Sequence, residues 1–198
     1  FKNQFTITMA QKICKCDNGV PAKDADCPEN DAILCASCNK AYSLSENKKS
    51  CGSCVAGKFG LSDGVCSVCP TGQYEETSGQ IACKSCVAGE GFVSSTKPCE
   101  GCEAGKFGAL AGVCMDCPSG QYEETSGQTK CKSCLVGEAF VSSILPCESC
   151  VPGKFGQSKG VCAACPTGQY EQTSGQTNCK SCLVGEAFVS SILPCESC

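Results

Sequence analysis

Several residue types are missing or scarce in this 198-residue chain. It contains no tryptophan and no histidine, and its only aromatic side chains are 8 phenylalanines and 4 tyrosines. Without histidine the chain lacks the side chain that most often serves as a general acid or base near neutral pH. No pair of carboxylates stands out as a replacement. We therefore predict that the protein is not an enzyme.

Long apolar stretches are also missing. No run approaches the ~20 apolar residues of a transmembrane helix, nor the apolar core of a signal peptide, so we predict no direct membrane insertion. The net charge is −4, from 16 basic and 20 acidic residues, and no block of like charge would attract nucleic acid. The chain begins at Phe1, which suits a mature secreted N-terminus or a fragment.

Cysteine, in contrast, is abundant. The chain has 25 cysteines, about an eighth of all residues, whereas ~8–10% already marks a disulfide scaffold. Because the cytosol keeps thiols reduced, we predict an extracellular or cell-surface location. The other apolar residues are too few for one large core, so covalent cross-links are expected to hold the fold.

The cysteines mark a repeat with a period of 48 residues. The copies are residues 51–98, 99–146 and 147–194, and a fourth begins at 195–198. The second and third copies differ at 11 of 48 positions. Each copy is three short loops between Cys-x2-Cys pairs, and each loop opens with a glycine and an aromatic residue, such as Gly57 and Phe59. One flat ring per loop would cover the disulfide of a very small module.

The spacing suggests that each loop closes on itself, although a crossed pattern such as Cys51–Cys66 with Cys54–Cys69 stays open. The loop-closing pairs are Cys38–Cys51, Cys54–Cys66, Cys69–Cys83, Cys86–Cys99, Cys102–Cys114, Cys117–Cys131, Cys134–Cys147, Cys150–Cys162, Cys165–Cys179 and Cys182–Cys195. Four cysteines, Cys14, Cys16, Cys27 and Cys35, then pair among themselves. Cys198 stays unpaired, to bond in a next module or in a neighbouring molecule. Closing each loop stabilises it by about 3 kcal/mol.

The N-terminal segment, residues 1–13, has a different pattern. Apolar and polar residues alternate, which predicts a β-strand with one apolar face. The residues on that face are Phe1, Phe5, Ile7 and Met9. Because this strand has no obvious partner in its own chain, we expect it to add to a sheet edge, in the first module or in a neighbouring subunit.

Helical periodicity is absent over most of the chain. The predicted fold class is therefore a small disulfide-rich protein of β-hairpins and turns, elongated into a rod of tandem repeats. Turn glycines within the repeats are expected to have positive φ angles. These glycines are Gly72, Gly79, Gly120, Gly127, Gly168 and Gly175.

One phrase is specific enough to indicate a family. Residues 69–86 read Cys-Pro-Thr-Gly-Gln-Tyr-Glu-Glu-Thr-Ser-Gly-Gln and close with Cys-Lys-Ser-Cys. The repeats, over residues 51–198, resemble those of ephrin-receptor-like and tumour-necrosis-factor-receptor-like ectodomains. The resemblance implies a ladder of disulfide loops, each closed around its glycine and aromatic residue. Residues 14–50 are similar to an epidermal-growth-factor-like (EGF-like) module.

Metal and redox sites are the alternatives for paired cysteines. Four thiolates can bind zinc, but six cysteines in each copy would leave two surplus thiols, and histidine is absent. A redox pair such as Cys66 and Cys69 would need a thioredoxin-like context that the sequence lacks. Calcium near Asp24, Asp26 and Asp31 is a candidate, although the spacing is not that of an EF-hand loop. Otherwise we predict no cofactor.

Glycans are a second kind of addition to consider. No Asn-x-Ser/Thr sequon occurs, so ordinary N-glycosylation is not predicted. Hydroxyl-rich stretches recur in the repeats and are candidates for O-glycosylation. The candidate residues in the first copy are Thr77, Ser78, Ser94 and Ser95.

Near-identical repeats of equal length suggest a structural protein. We predict a stalk, fibril or cell-surface appendage in which identical subunits associate, with head-to-tail strand addition as a contact that propagates without closing. The alternative is a receptor or adhesion ectodomain that binds a protein ligand, which rests on family resemblance. A downstream membrane or signalling segment would favour the receptor, and further repeats would favour the fibril.

Overall fold

The computed structural model describes residues 11–61 and 64–198. These residues form two-stranded antiparallel sheets joined by turns, with one short 3-10 helix at Asp24–Asp26. The predicted fold class, a small disulfide-rich chain of β-hairpins and turns, is confirmed. Phe1, Phe5, Ile7 and Met9 of the predicted N-terminal strand lie outside the described residues.

The chain divides into two compact units. The first contains the described residues up to Ser85 together with Val93–Pro98, and the second contains Cys86–Phe92 and Cys99–Cys198. The strand pairs of the first unit are Gly19–Pro21 with Cys35–Cys38, Tyr42–Leu44 with Cys51–Ser53, Lys58–Phe59 with Ser67–Val68, and Gln73–Tyr74 with Lys84–Ser85. The strand pairs of the second unit are Glu90–Gly91 with Glu100–Gly101, Lys106–Leu110 with Val113–Asp116, Gln121–Tyr122 with Lys132–Ser133, Glu138–Ala139 with Glu148–Ser149, Lys154–Ser158 with Val161–Ala164, Gln169–Tyr170 with Lys180–Ser181, and Glu186–Ala187 with Glu196–Ser197.

Disulfides close these hairpins, which are too short to be stable alone. The bonded pairs are the ten loop-closing pairs that the spacing suggests, rather than the crossed alternative, together with Cys14–Cys27 and Cys16–Cys35. The Cα–Cα distances span 5.1 Å, in Cys16–Cys35, to 5.8 Å, in Cys69–Cys83 and Cys117–Cys131. Such distances allow a disulfide without displacing the backbone.

The buried interior of the described residues consists mainly of cysteines. Cys54, Cys102 and Cys150 are each 1% exposed, whereas Val55 and Leu61 are 59% and 60% exposed. None of the aromatic side chains of the repeat loops is fully buried. Cross-links and backbone hydrogen bonds, rather than a single apolar core, therefore stabilise the fold.

Glycines with positive φ form the turns. All six turn glycines predicted above have positive φ angles, between 74° and 84°. Ala41 has a φ of 71° at a position that glycine occupies in each later copy, at Gly89, Gly137 and Gly185. A methyl group in this left-handed region costs about 1–2 kcal/mol, which glycine avoids.

The loop Cys38–Cys51 has the arrangement of the loop that comes third in each copy. The sequence, in contrast, suggests that it belongs to an EGF-like module. Its Ala41 N–H donates to the Gly60 carbonyl at 2.9 Å, as the Gly89 N–H donates to the Gly108 carbonyl at 2.8 Å. The predicted domain boundaries stay predictions. The repeated geometry, however, begins at Cys38, before the first predicted copy.

Candidate functional site

Each copy joins its three loops at one buried glutamate. Glu75 of the second loop is 3% exposed. Its N–H donates to the Ser95 carbonyl of the third loop at 2.9 Å, and its carbonyl accepts from the Gly57 N–H of the first loop at 2.7 Å. Glu123 and Glu171 make the same two bonds in the other copies and are 2% and 1% exposed.

The side-chain contacts of this glutamate converge on one carboxylate oxygen, Oε1. In the second copy, Glu123 Oε1 accepts from the Thr125 N–H at 3.2 Å and from the Thr125 hydroxyl at 2.8 Å. Lys132 Nζ lies 3.4 Å from the same oxygen and 5.8 Å from the centre of the Tyr122 ring. We call this set of glutamate, threonine and lysine the glutamate latch. Its members are Glu75, Thr77 and Lys84, then Glu123, Thr125 and Lys132, then Glu171, Thr173 and Lys180.

These contacts keep the latch glutamates ionised. For Glu75 and Glu171 the threonine hydroxyl is the largest cause of a pKa below the usual value of 4.5. For Glu123 burial is the largest effect and raises the pKa, but the hydrogen bonds from Thr125 and Lys132 together outweigh it. A buried carboxylate is tolerated only with partners of this kind.

The free energy of unfolding is expected to depend on pH through the latch. Because the folded pKa lies below 4.5, the latch stabilises the fold above that pH, and this contribution is lost as the pH falls through the folded pKa. Denaturant unfolding between about pH 7 and about pH 3 should show the loss. The variant with Glu75→Gln, Glu123→Gln and Glu171→Gln should show a shallower dependence, and an unchanged dependence would contradict this assignment.

Sequence reasoning missed the latch. The signal was present, because Tyr-Glu-x-Thr-Ser-Gly recurs in all three copies with the first glutamate unchanged, whereas the second position is Glu76, Glu124 or Gln172. A glutamate is usually exposed, so nothing local marked it as buried. Only its bonds to two other loops place it inside.

Consecutive copies contact each other through backbone hydrogen bonds. The N–H at one third-loop position donates to a glycine carbonyl in the following first loop, over 2.9 to 3.0 Å. The donor and acceptor pairs are Leu44 with Gly64, Phe92 with Gly112, and Phe140 with Gly160. In the second unit, the Gly89 carbonyl also accepts from the Cys102 N–H at 2.8 Å. Each third loop therefore binds the first loop of the copy that follows it.

The cysteines considered above as metal or redox sites are bonded in disulfides. The Sγ atoms of Cys16, Cys35 and Cys51 lie within 4.8 Å of one another, beside a cleft of about 210 Å³ that Lys15 and Lys49 help to line. All three sulfurs belong to disulfides, Cys16–Cys35 and Cys38–Cys51. A bonded sulfur is not a thiolate ligand, so in this oxidised form the cluster offers no zinc site.

The calcium candidates lie in the N-terminal module. Asp24 and Asp26 belong to the 3-10 helix, whereas Asp31 forms an ion pair with Lys15 at 3.2 Å. Within the described residues these three carboxylates do not form a cluster with oxygens within 4.8 Å of one another. Calcium binding at these residues stays a prediction.

The O-glycosylation candidates differ in their surroundings. The Thr77 hydroxyl donates to Glu75 Oε1 at 2.7 Å, so it is engaged in the latch. Ser94 and Ser95 are half-buried, and Ser78 is exposed. Ser78 is therefore the candidate most accessible to a glycosyltransferase, and modification of any of the four stays a prediction.

Part of the chain matches a family model. Residues 105–144 match the family model for tyrosine-protein kinase ephrin type A/B receptor-like sequences. The matched segment contains the complete latch of the second copy. No curated protein matches the chain. The family match and the disulfides indicate an extracellular, disulfide-rich repeat protein.

Two other resemblances have no such support. The similarities to tumour-necrosis-factor-receptor-like repeats and to an EGF-like module stay predictions. Across the residues that the structure describes, no helix has the length and apolar character needed to span a membrane.

Proposed function

We propose that the protein is a non-enzymatic structural protein, in which association of identical subunits builds an extracellular stalk, fibril or cell-surface appendage. The observation that carries this proposal is the equivalence of the copies. The bond from the first-loop glycine to the latch glutamate measures 2.7 Å in each of the three copies. Equivalent copies present equivalent surfaces at a fixed interval along the chain, which is what a regular assembly requires.

Exposed apolar side chains support the same proposal. Val93, Val141 and Val189 occupy one position of the third loop and are 44%, 44% and 43% exposed. The same side chain is therefore presented to the same extent once in every 48 residues. Repeated apolar surface of this kind favours repeated contacts between molecules.

The second candidate function is that of a receptor or adhesion ectodomain with a protein ligand. The match of residues 105–144 to an ephrin-receptor-like family model favours it. The similarity between copies weighs against it, because a ligand is selected by a surface that differs from its neighbours. In either function we expect the repeats themselves neither to bind nucleic acid nor to insert into a membrane.

Negative-stain electron microscopy of the natural material, with and without reducing agent, tests the proposal. Regular filaments that loosen on reduction are expected, because disulfides hold every loop. Isolated particles under both conditions would contradict assembly and favour the ectodomain. A ligand search with the purified chain would then follow.

A further inference from the structure

Two disulfides of the N-terminal module pack directly against each other. Cys16 Sγ of the Cys16–Cys35 bond lies 3.9 Å from Cys51 Sγ of the Cys38–Cys51 bond. The Cys35 sulfur lies within 4.8 Å of both. In the part of the chain that the structure describes, this is the one cluster in which three cysteine sulfurs come so close. A sulfur released from one bond therefore has the other bond within reach.

Gly19 permits this close approach. A β-carbon at Gly19 would lie 2.7 Å from Cys51 Sγ and 2.8 Å from Cys16 Sγ, and it would also meet the Ser37 carbonyl oxygen. A side chain at this position would therefore displace the two disulfides. Gly19 pairs with Cys38 in the antiparallel sheet of this module, so the sheet holds the sulfur cluster in place.

Cys16 is the most accessible of the four cysteines. It is half-buried, whereas Cys35, Cys38 and Cys51 are 1%, 6% and 9% exposed. Cys16 also lines the cleft of about 210 Å³ beside the cluster. This volume is smaller than the ~300–1,000 Å³ of pockets that hold drug-sized ligands, so the cleft suits a small thiol. A thiol in the cleft would therefore meet Cys16 first.

We propose that Cys16 is a modification site for a small thiol, and that its modification rearranges the second disulfide. The incoming thiolate attacks Cys16 Sγ and forms a mixed disulfide, while Cys35 leaves with the electron pair as a thiolate. Cys35 then attacks Cys51 Sγ, which forms a Cys35–Cys51 bond and releases Cys38 as a thiolate that takes a proton from water. Each bond that breaks is replaced by one that forms, so no oxidant is needed.

The released cysteine belongs to the loop that contacts the first repeat. Within the Cys38–Cys51 loop, the Leu44 N–H donates to the Gly64 carbonyl at 2.9 Å. The Cys38–Cys51 bond closes this short loop, and its loss gives the loop back much of its conformational freedom. Modification of Cys16 therefore loosens the contact between the N-terminal module and the first repeat.

Peptide mapping of the full chain tests the rearrangement. The thiol that is already free is blocked first. The chain is then treated briefly with reduced glutathione, and new thiols are alkylated with iodoacetamide before digestion. Trypsin isolates residues 16–23, in which Cys16 is the one cysteine, from residues 24–40, which contain Cys35 and Cys38. Mass spectrometry without reduction then shows which cysteines are bonded.

The expected product has glutathione on Cys16, a Cys35–Cys51 bond and an alkylated Cys38. Glutathione on Cys51 with the Cys16–Cys35 bond intact would overturn the proposal, because the thiol would then have opened the second disulfide directly. Reaction of other disulfides while these four cysteines keep their native bonds would overturn it as well.

The Cys69–Cys83 bond is the internal control. Cys83 is half-buried, as Cys16 is, but among the described residues its sulfur belongs to no such cluster. Glutathione should therefore add to this bond without creating a new bond between cysteines. Rearranged bonds at Cys83 in the same amount would show that the exchange does not depend on the sulfur cluster.

Hydrogen exchange tests the effect on the contact with the first repeat. Glutathione should speed exchange of the Leu44 N–H about tenfold or more in the unchanged chain. The variant with Cys16→Ser and Cys35→Ser should show no such increase, because it has no bond to start the relay, and its protection before treatment shows that the loop is folded. An equal increase in the variant, or none in the unchanged chain, would overturn the proposed effect.

Discussion

Replacing Gly137 with alanine is expected to destabilise its loop by about 2–5 kcal/mol, and the same change at Gly185 by about 1–2 kcal/mol. The two glycines occupy the same loop position, with φ angles of 97° and 90°. A β-carbon at Gly137 would lie against the carbonyl oxygen of Gly175 in the second loop of the following copy, whereas one at Gly185 meets no atom within 4 Å. Both variants carry the penalty of a side chain at positive φ. The difference between their losses of stability therefore measures the contact between copies alone.

Native-state hydrogen exchange is the measurement, because it reports the opening of each loop separately. The Cys150 N–H, which donates to the Gly137 carbonyl at 2.8 Å, should lose most of its protection in Gly137→Ala. The Cys198 N–H, which donates to the Gly185 carbonyl at 3.0 Å, is the corresponding probe for Gly185→Ala. Equal losses in the two variants would show that the following copy does not pack against the third loop as described.

Replacing Glu123 with alanine is the second change with a large expected effect, about 2–4 kcal/mol of unfolding free energy. The substitution removes the acceptor of the Thr125 N–H and hydroxyl inside a site where Glu123 is 2% exposed. It also removes one of the two carboxylates that Lys132 contacts. Denaturant unfolding without reducing agent measures the loss, because the disulfides must stay intact.

The neighbouring Glu124 is the matched control. Its side chain is 42% exposed, and its ion pair with Lys132 at 2.9 Å is open to solvent. Glu124→Ala should therefore cost at most about 0.5 kcal/mol. The third copy already has Gln172 at this position, so the fold accepts the loss of this charge. Comparable losses in Glu123→Ala and Glu124→Ala would mean that the latch glutamate is not a structural centre of the repeat.

The cysteine spacing predicted which cysteines close each loop, but it did not predict how the loops contact one another. A loop of this length between cysteines is a local property, so its closure can be suggested from the sequence alone, as for Cys102–Cys114. The crossed alternative could be set aside only from the structure, where the Cα atoms of the loop-closing pairs lie at bonding distance. The turn glycines were likewise predictable, since a positive φ is a requirement of the turn itself.

The latch and the contacts between copies were not predictable in the same way. Glu75 is bonded to residues of two other loops, Gly57 and Ser95, and no periodicity relates these three positions. The relation of the Cys38–Cys51 loop to the third loops was also obscured, because Ala41 and Leu44 replace the glycine and phenylalanine of the later copies. The shared geometry lies in backbone hydrogen bonds, which do not depend on side-chain identity.

The sequence by itself determined that this is a disulfide-rich chain of small repeated loops with too few apolar residues for one core, because composition and cysteine spacing are properties of the chain. The tertiary structure alone decided which glutamate is buried and which carbonyls accept from each third loop. These depend on loops that lie far apart in sequence and meet only once their disulfides are closed.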